Sequence, residues 1–184
     1  MPRLMVRRLS ILLSLLAFAA VLPLAACGSD EEQGVDEPAR EGIAVGLGGV
    51  DYTVFITREL NPKITPDDAY VSDEAPAGQA LYGIFLRACN TSDEEREVAS
   101  DFTVRDNQEN TFEPESLPED NQFAYNARAL GPGECIPAAG SVAQLGPTAG
   151  SMLLFEFPLE NTENRPLELE VELNGEKRTF ELDI

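Results

Sequence analysis

Apolar and polar residues alternate with a period of two along most of this chain, the signature of half-buried strands. The clearest stretch is Leu167-Glu168-Leu169-Glu170-Val171-Glu172-Leu173, which runs into Asn174-Gly175. Asn-Gly between alternating segments is the strongest short signal for a two-residue hairpin turn, so the pattern predicts a strand over Leu167 to Leu173 paired with one over Arg178 to Leu182. One face of that hairpin is buried and the other carries a row of glutamates. An earlier strand is predicted over Asp51 to Arg58, where Tyr52, Val54 and Ile56 alternate with Thr53, Phe55 and Thr57. Ala80 to Cys89 is the most apolar run and carries bulky residues on both faces, as a central strand covered on both sides does. Further strands are read at Phe102 to Arg105, Gly140 to Leu145 and Met152 to Phe157, and Asp106 to Asn110 before Thr111-Phe112 reads as a hairpin loop. Gly46-Leu47-Gly48-Gly49 lacks the Gly-Lys-Ser/Thr ending of a phosphate loop and is read as a turn or bulge before the first full strand. No segment holds a helical period for more than two turns. Seven or eight short strands with Pro- and Gly-rich turns predict an all-β chain folded as a two-sheet antiparallel sandwich.

The first 26 residues follow a different pattern. Arg3, Arg7 and Arg8 form a basic segment, Ile11 to Leu22 an apolar one, and Leu24-Ala25-Ala26-Cys27 closes it. Pro23 interrupts the run and Ser10 and Ser14 lie at or within it, leaving it short of the ~20 apolar residues a spanning helix needs. The arrangement resembles a bacterial lipoprotein signal peptide with its lipobox. The resemblance implies cleavage of residues 1–26, diacylglyceryl and palmitate attachment at Cys27, and residence on the outer face of the bacterial cytoplasmic membrane, on the extracellular side. At about 0.8 kcal/mol per buried methylene, two or more acyl chains anchor stably where one is marginal. Residues 27–42, rich in Asp, Glu, Gly and Pro, read as an acidic disordered tether, and residues 43–184 as the sandwich domain.

Charge and cysteine content narrow the function classes. Thirteen Lys and Arg against thirty-three Asp and Glu give a formal charge of −20. Such a surface lacks the basic clusters that drive counterion release, so nucleic acid is excluded as a partner. Besides Cys27 the chain has Cys89 and Cys135, 46 positions apart. In an oxidising compartment such a pair forms a disulfide, and two buried thiols are the alternative reading. The chain has no His, which removes Ser-His-Asp and Cys-His catalysis and His-ligated zinc, and no Trp to stack a sugar ring. A non-enzyme is expected, with no catalytic residues, no metal ligands assigned and no cofactor. Asp67-Asp68 and Ser72-Asp73-Glu74 lie close in sequence within an irregular segment, which leaves weak calcium binding open.

Asn90-Thr91-Ser92-Asp93 after an apolar strand, Phe102-Thr103-Val104-Arg105-Asp106, Leu130-Gly131-Pro132-Gly133-Glu134 and Phe155-Glu156-Phe157-Pro158 together resemble an uncharacterised family of bacterial extracellular lipoprotein domains. The resemblance covers roughly residues 46–184. Its members look like immunoglobulin-like β-sandwiches related to a mycobacterial secreted immunoprotective antigen. It implies an immunoglobulin-like fold and a surface domain without a catalytic signature, while the segment from Asn61 to Gly78 departs from the compact pattern. Two functions follow. One is a non-catalytic binding or accessory module that presents Asn61 to Gly78 and Asn121 to Gly133 to an envelope protein or extracellular ligand, with Tyr70, Phe123 or Tyr125 as exposed anchors. The alternative is an acidic structural or calcium-binding surface lipoprotein. Metabolic labelling with palmitate tests the anchor: the native chain takes up label and Cys27→Ala does not, whereas label retained by Cys27→Ala overturns the assignment.

Overall fold

Local pattern and turn chemistry decide most elements of the computed structural model, which describes residues 33–184. The signal segment, the lipobox and Cys27 lie outside the described residues. In chain order the strands are β1 (Ala39–Arg40), β2 (Ala44–Leu47), β3 (Val50–Leu60), β4 (Gln79–Asn90), β5 (Arg96–Glu97), β6 (Asp101–Arg105), β7 (Thr111–Phe112), β8 (Ala129–Leu130), β9 (Cys135–Ile136), β10 (Ser151–Pro158), β11 (Leu167–Leu173) and β12 (Glu176–Leu182). A single helical turn, α1 (Val142–Leu145), precedes β10. One sheet has the order β1-β12-β11-β6-β7 and the facing one β10-β4-β3-β2, with β9 pairing the far end of β4, while β5 and β8 form a separate two-stranded ribbon. Apart from β1 on β12, every named strand pairing is antiparallel. The expected two-sheet β-sandwich is what the chain builds.

The β11–β12 hairpin forms in the register its alternation predicts, Leu169 opposite Phe180 and Val171 opposite Arg178. Asn174 and Gly175 adopt φ of 54° and 85°, as a type I′ turn requires. Gly48 and Gly49, at φ 62° and 84°, make the same kind of turn between β2 and β3. A Cβ on Gly48 would stand 2.6 Å from Leu173 Cδ2, so this turn also sets how closely the two sheets approach.

Two apolar clusters hold the fold. Between the sheets lie Tyr52, Val54, Ile84, Leu86, Phe155, Phe157, Leu169, Val171 and Phe180, all fully buried. Each contributes on the order of 1.5–3 kcal/mol through burial. The second cluster sits on the outer face of the β10-β4-β3-β2 sheet, where Leu81 and Phe85 of β4 and Met152 and Leu154 of β10 meet Tyr70, Phe123 and Ala143. The two-sided burial expected for the strand at residues 80–89 therefore holds, with loops in place of a third layer.

Three expectations are corrected. Tyr52, Val54 and Ile56 do not share a face: a β-bulge between Val54 and Ile56 shifts the register, so Tyr52 and Val54 face the core while Ile56 is 40% exposed. One extra residue inverts every side chain beyond it. The strand expected at Gly140 to Leu145 is helical, because Gly140 takes φ 77° and the Ser141 hydroxyl accepts from Gln144 N at 3.3 Å, capping the turn. The tether expected to run to residue 42 is part of the fold from Gln33 onward. Thr179 N donates to Gly34 O at 2.8 Å, and Ala39, 1% exposed, pairs with Phe180.

Cys89 and Cys135 face each other directly across β4 and β9 and are joined by a disulfide. The bond lies within one sheet and fastens the segment around β9 to the central strand. Closing a loop of 46 residues restricts the unfolded chain by about 4 kcal/mol in the entropic account.

The sheets are also fastened at one end by Asp106, only 3% exposed. Its Oδ1 accepts from the backbone N–H groups of Gln108 and Asn110, both at 2.9 Å. Its Oδ2 accepts from the side-chain amides of Asn110, Asn161 and Asn164 at 2.8, 3.0 and 2.9 Å. The expected β6–β7 loop is thereby locked to the β10–β11 connection. Although burial opposes ionisation, these donors outweigh it and hold the carboxyl well below the usual carboxylate range. A depressed folded-state pKa gives stability that is fully present above the unfolded value of about 4 and is lost as pH falls below it. Asp106→Asn, which turns an amide N–H₂ toward these donors, is expected to destabilise the fold by about 2–3 kcal/mol at pH 7. Urea unfolding across pH should show this gap narrowing below about pH 4; a pH-independent gap contradicts the assignment.

Candidate functional site

The loops that cover the outer face of β4 and β10 leave a cleft of about 430 Å³. Residues 68–74 form one wall and residues 115–123 the other, with Leu81 of β4 and Leu154 of β10 in the floor. Several contacts position the first wall. Asp67, 3% exposed, turns inward, ion-pairing with Arg58 and accepting from Asn61 N at 2.9 Å. The Arg58 guanidinium sits 5.7 Å from the Tyr70 ring centroid. Tyr70 packs edge-on against Phe85 and Phe123, and its hydroxyl accepts from Thr148 N at 3.0 Å. The second wall runs along the free edge of β10, where Glu115 N donates to Leu154 O at 2.7 Å and Met152 N to Phe123 O at 2.6 Å. Asn121 joins the walls: its Nδ2 donates to Tyr70 O at 2.9 Å, and its Oδ1 accepts from Phe123 N at 2.9 Å.

The charged groups lining this cleft are Asp68, Asp73, Glu74, Glu115, Asp120 and Glu156, all carboxylates. Lys63 reaches one of them, with Nζ 2.6 Å from Glu74 Oε2, both side chains largely exposed. The remaining lining is apolar or neutral, including Val71, Leu117 and Phe123. An apolar floor under a carboxylate rim suits a ligand that couples a cation to an apolar body. A hollow of about 470 Å³ across the same 115–117 segment carries Asp101, Glu113 and Glu115. The groove beside Cys135 differs: it is lined by Arg87, Arg128 and Glu134, with the Arg87 guanidinium 5.3 Å from the Phe55 ring centroid.

Some residues singled out from sequence come together here in other roles. Tyr70 and Phe123 were expected as exposed anchors and are 1% and 7% exposed, because they are the packing that holds the walls to the sheet. Tyr125 is half-buried and belongs to the inter-sheet cluster. Its hydroxyl donates to Ala99 O at 3.0 Å beside Tyr52, whose hydroxyl accepts from Ala99 N at 2.6 Å. Burial pushes both phenols above their usual pKa. The acids at 67–74 do not converge, since Asp67 is committed to Arg58 and Glu74 to Lys63. Among the described residues no three acidic or cysteine side chains gather as metal ligands would, and no helix is long and apolar enough to cross a membrane. Residues 115–120 escaped the sequence reading, and Glu156 was read only as part of a strand; the signal for the former is Pro114-Glu115-Ser116-Leu117-Pro118, where two prolines bracket a segment that lies along a sheet edge.

No family model matches this chain, and no curated protein does. Among solved structures it is similar to an uncharacterized beta-sandwich protein from Clostridium difficile, at TM-score 0.48 and 16% identity, covering 80% of this chain and 95% of that one. It is similar to the yjhA protein from Bacillus subtilis at TM-score 0.49 and 12% identity, covering 79% and 99%. A candidate lipoprotein (ycdA) of the same species gives TM-score 0.47 and 14% identity over 76% of this chain and 38% of that one. None of the three is described as a mycobacterial antigen.

The Arg58–Asp67 pair predicts how the first wall fails. Asp67→Ala leaves the guanidinium without its buried partner and is expected to destabilise by about 2–4 kcal/mol, below the fully buried case because Arg58 is partly solvated. Urea denaturation and hydrogen exchange should show the loss together with faster exchange at residues 61–71; unchanged exchange there contradicts the role given to the pair.

Proposed function

We propose that this protein is a non-catalytic binding module, held on the outer face of the bacterial membrane through Cys27, that recognises a basic, partly apolar segment of an envelope partner in the cleft between residues 68–74 and 115–123. The observation that carries the reading is the lining of the cleft: six carboxylates and no Lys or Arg over an apolar floor. A lysine or arginine side chain meets this chemistry with its charged head at the rim and its methylene stem on Leu81 and Leu154. The reading is supported also by the walls, which are fixed by buried contacts and need little ordering on binding. The chain's lack of His and the use of the Tyr70 hydroxyl in packing support a site that binds without reacting.

Calorimetry with the native protein and a Lys- and Leu-containing amphipathic peptide tests the reading, with a Glu-for-Lys peptide as its opposite. Binding is expected for the basic peptide only and should weaken with salt. The double variant Glu115→Gln with Asp120→Asn is expected to lower affinity about tenfold, roughly 1.4 kcal/mol, while Glu168→Gln with Glu172→Gln on the opposite sheet changes it little. Equal loss in both variants would assign binding to net charge and overturn the cleft as the site.

A further inference from the structure

We infer that the groove beside Cys135 is a second binding site, which takes a small carboxylic acid with a flat apolar body and holds its carboxylate on the N–H edge of Arg87. The inference is independent of the cleft and of the anchor at Cys27.

The bulge in β3 builds the site. It leaves Phe55 out of register between Val54, opposite Leu86, and Ile56, opposite Phe85. A residue released from the ladder in this way can aim its side chain anew. The Phe55 ring lines the groove, and its centroid lies 5.3 Å from the guanidinium of Arg87 on the neighbouring strand. A guanidinium held by an aromatic ring keeps its planar fork of N–H donors for other partners. No protein oxygen claims them. Every other described Lys or Arg side chain donates to a protein oxygen, most of them to a carboxylate. Arg87, exposed on a chain with thirty-three Asp and Glu, does not.

Much of the remaining lining is apolar and fixed. Cys135 and Pro137 stand on the segment that β9 and the disulfide fasten to β4. Gly150 completes it from the start of β10; a Cβ there would stand 2.9 Å from Leu86 N, so this backbone lies directly on β4. Arg128 pairs with Glu134 at 3.1 Å, which leaves Arg87 as the net charge of the groove. Asp51 shares this face of the sheet, opposite Cys89, and forms no ion pair with Arg87.

This combination selects the ligand. A carboxylate meets a guanidinium fork with two parallel hydrogen bonds, and a flat apolar body covers Phe55 and Pro137. A cation is repelled by Arg87, and a wholly polar anion leaves the apolar lining uncovered. The volume, about 480 Å³, falls within the ~300–1,000 Å³ of small-molecule sites. The carboxylates of the cleft do not cancel the attraction. Leu81 in the cleft floor is six strand steps from Arg87, roughly 20 Å at about 3.3 Å each, well beyond the ~8 Å over which exposed charges act at physiological salt.

NMR titration of the isotopically labelled native protein with naphthoate tests the site, with naphthamide lacking the charge and acetate lacking the ring. Saturable shifts are expected at the Arg87 Nε–H and at the amides of residues 133–139 and 149–150. Naphthamide is expected to bind about tenfold more weakly and acetate to leave the spectrum unchanged at the same concentration. Arg87→Gln should erase the difference between naphthoate and naphthamide, whereas Arg87→Lys, which keeps the charge and loses the fork, should retain part of it. Arg87 is exposed, so both variants are expected to keep the amide spectrum of the two sheets. Equal binding of naphthoate and naphthamide by the native protein, or an undiminished preference in Arg87→Gln, overturns Arg87 as the partner of the anion. Shifts elsewhere, or none, overturn the groove as the site. An apolar peptide with a free C-terminal carboxylate that binds the groove where naphthoate does not overturns the small-ligand assignment in favour of a protein partner. The basic-peptide test of the cleft is unaffected by any of these results.

Discussion

Everything in this structure depends on burying β4 on both faces. A strand reading Gln-Ala-Leu-Tyr-Gly-Ile-Phe-Leu-Arg-Ala-Cys-Asn has no polar face to offer solvent over most of its length. Tyr82, Ile84 and Leu86 are covered by the opposite sheet, as in any sandwich, but Leu81 and Phe85 need a second cover. Residues 61–78, 113–125 and 137–150 supply it without adding a layer of regular structure. Their anchoring residues are Tyr70, Phe123 and Ala143, and the gap between two of these covering segments is the cleft. The candidate site is thus a consequence of how the central strand is roofed.

The acidity of the chain is distributed unevenly in function. On the β11 face it is partly neutralised: Glu170 is bracketed by Arg105 at 3.1 Å and Lys177 at 3.0 Å, and Lys177 also reaches Glu172 at 3.2 Å. Glu168 stands opposite Glu181, and burial together with these like charges raises its pKa. Exposed pairs of this kind add little stability, about 0–1 kcal/mol each. Asp106 is a different case, a buried carboxylate with five neutral hydrogen-bond donors that ties the two sheets together. Around the cleft the carboxylates are held more sparsely: Glu74 pairs with Lys63, Asp68 accepts from the Thr65 hydroxyl at 3.2 Å and Asp73 from the Ser72 hydroxyl at 3.4 Å.

What could be read from the sequence follows from how local each determinant is. The β11–β12 hairpin was legible, with its second strand starting at Glu176, two residues before the expected Arg178, because its alternation, its Asn-Gly turn and its register sit within sixteen consecutive positions. The two-sided burial of β4 was legible because the strand announces it by composition. The bulge at Phe55 was not, since a single inserted residue leaves no trace in an alternating run. β1 was hidden for another reason: Ala39 pairs with Phe180 at the far end of the chain, and its acidic, Pro-containing surroundings have the composition of a linker. At Ser141 a helix cap prevailed over the β-propensity of Val142. The aromatic residues of the loops were visible, but whether Tyr70 and Phe123 face solvent or the sheet is decided by β4, which no local pattern reports.

The central claim is that the cleft is a specific site and that the chain's acidity is not in itself the recognition element. Amide chemical-shift mapping of the isotopically labelled native protein, titrated with the basic amphipathic peptide, tests it most directly. The account predicts saturable shifts confined to residues 68–74, 81, 115–123 and 154, with the glutamate row of β11 unmoved. Shifts spread across the acidic surface in proportion to exposure, or strongest on Glu168 to Glu172, would contradict it.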